Sequence, residues 1–190
     1  LELGILNEGI NEVIATTKGN AAPIGVIRKD NSFEMILFRG THTFERVRSE
    51  GWVVANISYD PCIYVKTAFS DLEASSLKDE VVDGLNIDRL VNTDAWIAFR
   101  TTIQKETENA VVINLQPLKE EILENRIRPI NRGFNSIIEA SVHGTRFLMN
   151  KDIELKKLII HHASIVRRCG GPGEQEALKL LMNYLGFSSL

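Results

Sequence analysis

Arg39, Gly40, Thr41, His42 and Thr43 follow one another between an apolar run, Phe33–Phe38, and an amphipathic segment, Thr41–Glu50. Arginine supplies a fixed cation, the threonines supply hydroxyls, and glycine lets the backbone turn and approach closely. At a helix start these groups converge with unpaired backbone N–H groups and the positive end of the helix dipole, a combination that holds a phosphate. The same residues also have a purely structural use. Thr41 or Thr43 can cap the helix, Phe44 and Val47 form its buried side, and Gly51 ends it in a left-handed conformation.

A second stretch, Thr16-Thr17-Lys18-Gly19-Asn20-Ala21-Ala22-Pro23-Ile24-Gly25, clusters small residues around a turn and places a proline at a strand start. Small side chains let backbone amides reach a flat heterocycle, and Pro23 stiffens the approach. A flavin ring needs such an edge, with donors at its polar rim and an apolar slot for its faces. A ligand-free hairpin also accounts for this composition.

Other combinations point elsewhere. Arg132, Ser136, Glu139, His143 and Arg146 recur at intervals of three and four and so share one helix face, which serves either a pocket mouth or solvent. His162 falls on an apolar stripe with Leu158, Ile159 and Ile165, and is expected to be packed with a satisfied ring nitrogen. His161-His162 lacks the further ligands that zinc needs, and no metal is expected. Cys169-Gly170-Gly171-Pro172-Gly173-Glu174 has no Lys-Ser/Thr pair at phosphate-loop spacing and reads as a connector, with Pro172 opening a helix. There is no GxGxxG after a strand and no nucleophile elbow. Catalysis by side chains alone is poorly supported, which turns attention to a cofactor as the reactive group.

The elements that position these residues fall into two regimes. Up to about Leu118 the chain reads as strands: Glu12–Thr17, Pro23–Arg28, Phe33–Phe38, Trp52–Ser58, Ala95–Lys105 and Asn109–Leu115. Tight reversals separate the first three, and one helix, Thr41–Glu50, interrupts the series. Cys62–Phe69 is a short apolar segment, and Ser70–Asp94 an irregular acidic one. After Pro129 the period becomes helical. Phe134, Ile137, Ile138, Val142 and Leu148 mark one helix, with further apolar stripes at Leu155–Val166 and Ala177–Leu185. The expected fold is α+β, an antiparallel split β-barrel over residues 1–125 with a three-helix C-terminal extension over 126–190.

The 190 residues are 44% apolar and 25% charged, with a formal charge of −3, which suits a globular chain and gives no broad basic footprint for nucleic acid. No apolar run approaches the roughly 20 residues that span a bilayer. Leu1–Leu6 lacks the charged region of a secretory signal, and Cys62 and Cys169 form no paired motif, so a cytoplasmic location is expected.

Four segments in order carry a resemblance. They are Glu12–Gly25, Phe38–Val47 with Arg-Gly-Thr-His-Thr-Phe-Glu-Arg-Val, Trp52–Pro61 with Val-Val-Ala-Asn-Ile-Ser-Tyr-Asp-Pro, and Asn131–Arg146. With these the chain resembles the FMN-binding split-barrel superfamily of flavin reductases and pyridoxamine-phosphate oxidases. More closely, it is similar to an archaeal family of small FMN-binding split-barrel proteins with a helical C-terminal extension. The resemblance implies a homodimer with FMN at the subunit interface. It implies the phosphate at Arg39, Gly40, Thr41 and Thr43, and the ring along Thr16, Thr17, Asn20, Ala22 and Pro23, with Asn56 and Ser58 as further contacts. His42 stands where many flavin reductases carry a small residue, and no position matches their nicotinamide-binding histidine. A flavin-dependent oxidoreductase of unknown substrate is the first expectation. A non-catalytic flavin carrier with a partner-docking helical unit is the second, and a site for pyridoxal phosphate or a deazaflavin the third.

Overall fold

A computed structural model describes residues 4–125 and 127–187. The expected domain boundary, between residues 125 and 126, adjoins a position outside the described residues. The chain divides into two compact units, Leu1–Ser58 with Asp71–Asn125, and Tyr59–Ser70 with Arg126–Leu190.

The first unit is built on a six-stranded antiparallel barrel. Its strands are β1 (Gly9–Thr17), β2 (Asn20–Lys29), β3 (Ser32–Phe38), β4 (Trp52–Ile57), β7 (Ala95–Glu106) and β8 (Ala110–Ile122). They close in the order β1-β2-β3-β8-β7-β4. Period-two alternation sets which side chains turn inward. On β3, Phe33, Met35 and Leu37 are buried while Ile36 and Phe38 are exposed. On β4, Val53 and Ala55 join the barrel core while Trp52 and Val54 join a second cluster on the other face. Helix α1 (His42–Glu50) adds Phe44 and Val47 to the barrel core. It ends at Gly51, whose φ of 72° is the left-handed cap expected there, with its N–H donating to Val47 O at 3.0 Å.

The acidic stretch is more ordered than its sequence led us to expect. It holds a hairpin, β5 (Leu77–Val82) and β6 (Leu85–Leu90), turned by Asp83-Gly84 with φ of 50° and 75°. Val82 and Ile87 from this hairpin pack with Trp52, Val54, Trp96 and Ala98, sealing the outer face of β4 and β7. Arg89 is buried against Trp96 and pairs with Glu80 at 3.0 Å.

In the second unit Cys62–Phe69 proves to be part of a helix, α2 (Pro61–Phe69), capped by Asp60. It accompanies the three expected helices, α3 (Arg132–Asn150), α4 (Ile153–Cys169) and α5 (Pro172–Leu185). The buried face of α3 differs from the expected stripe. Gly133, Ser136, Ile137, Ala140, Ser141, Gly144 and Phe147 are buried, whereas Val142 and Leu148 are exposed. The reason is close packing through small residues. A Cβ on Gly133 would lie 2.6 Å from Gly170 Cα, and one on Gly144 would lie 3.0 Å from the Phe69 ring. No helix among the described residues is long and apolar enough to cross a membrane.

Candidate functional site

The barrel parts between β2 and β3. β2 pairs with β1 along its whole length, from Gly9↔Arg28 to Thr17↔Asn20. It pairs with β3 only from Val26↔Met35 to Lys29↔Ser32, while β3 goes on alongside β8 to Phe38. The Asn20–Gly25 half of β2 therefore has no β3 partner. Pro23, which has no N–H to give, lies in this half, where a proline is tolerated.

Beyond Phe38 the chain turns through Arg39 and Gly40 into α1. Gly40 has φ of 79°, a left-handed conformation that a side chain would strain. Thr41 is the N-cap: its Oγ1 accepts from Phe44 N–H at 3.3 Å and donates to Phe38 O at 2.8 Å. The capping use of Thr41 is thus real, and it leaves the N–H groups of His42 and Thr43 at the open start of α1. Thr43 is buried, and its Oγ1 accepts from Asn20 Nδ2 at 3.1 Å, so the loose half of β2 is tied directly to the helix start. Thr17 lies across from Asn20, and its buried Oγ1 has no hydrogen-bond partner among the described residues. Arg39 donates from Nε to Thr107 O at 3.0 Å, forms an ion pair with Glu106, and lies over the Phe44 ring. Glu106 and Thr107 enter from the β7–β8 turn, and nothing in their local sequence marks them as partners of Arg39.

The expected site residues separate by sheet face. Thr17, Asn20 and Ala22 share the face of Val13 and Ala15, toward the barrel core, and Asn20 reaches Thr43 at the start of α1, next to Arg39, Gly40 and Thr41 in the chain. Thr16, Pro23 and Asn56 belong to the opposite face. Thr16 and Asn56 have no exposed surface. Asn56 Nδ2 donates to Ile14 O and Thr16 Oγ1, each at 2.9 Å, and its Oδ1 accepts from Leu90 N–H at 2.8 Å. Thr16 Oγ1 in turn donates to Asp88 O at 2.6 Å. Both side chains are engaged in joining β1, β4 and β6. Ser58 is buried just past the end of β4.

Asp88 is a site neighbour that the sequence did not single out; its Oδ2 accepts from the Gly19 N–H at 2.8 Å in the β1–β2 turn. Burial holds its carboxyl above the ordinary range, opposed by the Gly19 bond and reinforced by nearby Asp79. A folded-state value above the unfolded one gives a contribution that is full at low pH and is lost as pH rises through the folded value. Asp88→Asn keeps an acceptor for Gly19 and removes the charge. It is expected to raise the thermal unfolding midpoint at neutral pH and to change little in acid below the carboxylate range. Melts at the two pH values check this.

In the helical unit the polar stripe of α3 divides as well. Ser136 is buried, whereas Arg132, Glu139 and Arg146 are exposed and His143 is half-buried. His143 faces His162 of α4, with ring centroids 5.7 Å apart. His162 is half-buried as expected, but its Nδ1 has no hydrogen-bond partner among the described residues, nor has that of His143. Burial, then the neighbouring His143, pushes the His162 imidazolium below its ordinary range.

A six-stranded antiparallel barrel parted beside a helix start, with an appended helical unit, defines an α+β split-barrel protein. The chain belongs to the family described as protein of unknown function (DUF447), whose N-terminal domain matches residues 11–124 and whose second part matches residues 131–183. An FMN-bound protein of Methanosarcina mazei from that family is similar over 94% of this chain and 96% of its own, at 35% identity and a TM-score of 0.89. An uncharacterized protein of Methanocaldococcus jannaschii is 27% identical over 196 residues, covering 93% of this chain and 98% of its own.

Proposed function

We propose that this chain binds FMN at the parting between β2 and β3 and acts as a flavin-dependent oxidoreductase. The observation that carries the reading is the likeness, over nearly the full length, to the FMN-bound Methanosarcina mazei relative. The site fits the group on its own terms. The start of α1, Thr43 and Arg39 offer an anion site, the half of β2 without a β3 partner offers backbone groups, and the buried Thr17 hydroxyl has unused hydrogen-bonding capacity. In this reading Arg39, Gly40, Thr41 and Thr43 hold the phosphate, and Thr17, Asn20 and Ala22 orient the ring. Bound flavin supplies the hydride and electron chemistry, while the protein supplies binding, orientation and exclusion of water.

A homodimer is part of the proposal. Ile36 and Phe38 are exposed on β3 and pair with Val112 and Ala110 of β8, giving an apolar outer strip that runs directly into Arg39. A second copy covering this strip would close the site from outside. Titrating the ligand-free chain with FMN, followed by flavin absorbance and fluorescence, is expected to show one site per chain. Anaerobic NADH or NADPH is expected to bleach the bound flavin, and light scattering to give a dimer. Binding without bleaching by either donor supports the carrier role instead, and failure to bind FMN overturns the whole reading.

A further inference from the structure

We propose that Glu139, His143 and His162 form a site for one divalent first-row transition metal, with Zn2+ as the reference ion, that clamps α3 to α4. This inference rests on the helical unit alone and does not depend on FMN binding.

The three residues are brought together by helix geometry. Glu139 and His143 are four apart on α3 and so project from one face. α3 approaches α4 closely, as the contact of Gly133 with Gly170 just past the end of α4 requires, and His162 of α4 meets that face. A carboxylate oxygen of Glu139 and one ring nitrogen from each histidine all lie within 4.8 Å of one another. Zinc bonds of about 2.0–2.2 Å put tetrahedral donors roughly 3.3 Å apart, so the set must contract by about 1.5 Å at most. Glu139 is exposed and can make most of that adjustment by changing rotamer.

The chemistry of the set points to a cation. Two imidazoles and one carboxylate are borderline donors, suited to zinc, nickel and copper rather than to magnesium or calcium, which prefer oxygen alone. Two histidines and a glutamate are also a known zinc set that leaves the fourth position open to water or another ligand. Nδ1 of His143 and Nδ1 of His162 are both buried without a hydrogen-bond partner among the described residues. Leaving such a nitrogen unsatisfied costs stability, and a metal ion removes that cost at any nitrogen it takes up. A solvated polar face explains Glu139 but not two facing histidines with orphaned nitrogens.

The test uses the full chain, stripped with a chelator and then titrated with Zn2+ and, separately, Co2+. One metal per chain by elemental analysis is expected, with the visible absorption of a low-symmetry Co2+ site and a higher unfolding midpoint in Zn2+. His143→Ala and His162→Ala are expected to abolish the Co2+ spectrum and to weaken Zn2+ by at least the roughly 10–100-fold that outer-sphere changes already cost. His161→Ala and His42→Ala are controls expected to bind as the parent does. Glu139→Gln changes an exposed residue without disturbing the helix packing, so its weaker binding at unchanged helicity carries the test should either alanine variant fail to fold. Less than one metal per chain in the parent overturns the proposal, as does equal binding by the parent and the Glu139→Gln variant.

Discussion

Asn56→Ala is expected to cost about 3 kcal/mol of stability while leaving the FMN affinity of the folded protein unchanged. The side chain has no exposed surface, yet it makes bonds to two strands besides its own. It donates to Ile14 O and Thr16 Oγ1 on β1 and accepts from Leu90 N–H on β6. Truncation leaves the Leu90 N–H and two acceptors buried without Asn56, and each such group costs about 1–3 kcal/mol. It also removes the Leu90 bond that ties the hairpin packed on Trp52 and Trp96 to β4, leaving the Thr16 hydroxyl's bond to Asp88 O as its link to β1. Urea unfolding measures the loss, and titration of the remaining folded protein with FMN and with riboflavin measures the rest. A comparable fall in affinity for both ligands at full folding would return Asn56 to the ring contact that the sequence implied.

Asn56 also shows what a sequence conveys and what it withholds. A polar residue in Trp-Val-Val-Ala-Asn-Ile stands out in one dimension, but whether it faces a ligand or knits three strands depends on partners 40 or so positions away. Local signals served better. Lys18-Gly19 and Asp30-Asn31 marked their hairpins through turn chemistry, and Thr41 and Gly51 marked both ends of α1. The β5–β6 hairpin carried an equally plain signal in Asp83-Gly84, masked because Lys78, Asp79, Glu80, Asp88 and Arg89 blur the alternation around it. α3 misled for the opposite reason. Its contact face is made of glycine, alanine and serine, which weigh little on a hydrophobic scale but permit the closest approach. The ion pair of Arg39 with Glu106 spans 67 positions and leaves no periodic trace.

That ion pair makes the phosphate assignment testable in sign as well as size. Arg39→Ala combined with Thr41→Ala is expected to weaken FMN by about 3 kcal/mol, roughly 100-fold, if the guanidinium bonds the dianion and the Thr41 hydroxyl turns its proton from Phe38 O to it. Riboflavin, which lacks the phosphate, is expected to bind both forms alike. Losing the Thr41 cap costs about 1 kcal/mol of stability by itself, so affinities are to be compared well below the unfolding midpoint. Arg39 is already engaged by Glu106, but both side chains are more than a third exposed, and such surface pairs are worth only about 0–1 kcal/mol. A phosphate beside the α1 start adds the helix dipole and the N–H groups of His42 and Thr43, which Glu106 does not receive. The dianion therefore outcompetes the carboxylate. It follows that Glu106→Gln, which frees the guanidinium, is expected to tighten FMN by up to roughly fivefold and leave riboflavin unchanged. A loss of stability in the double variant with unaltered FMN affinity would mean that Thr41 only caps α1 and that the phosphate lies elsewhere. Opposite shifts for Arg39 and Glu106, confined to the phosphorylated ligand, are the pattern that a cap and a surface ion pair alone cannot produce.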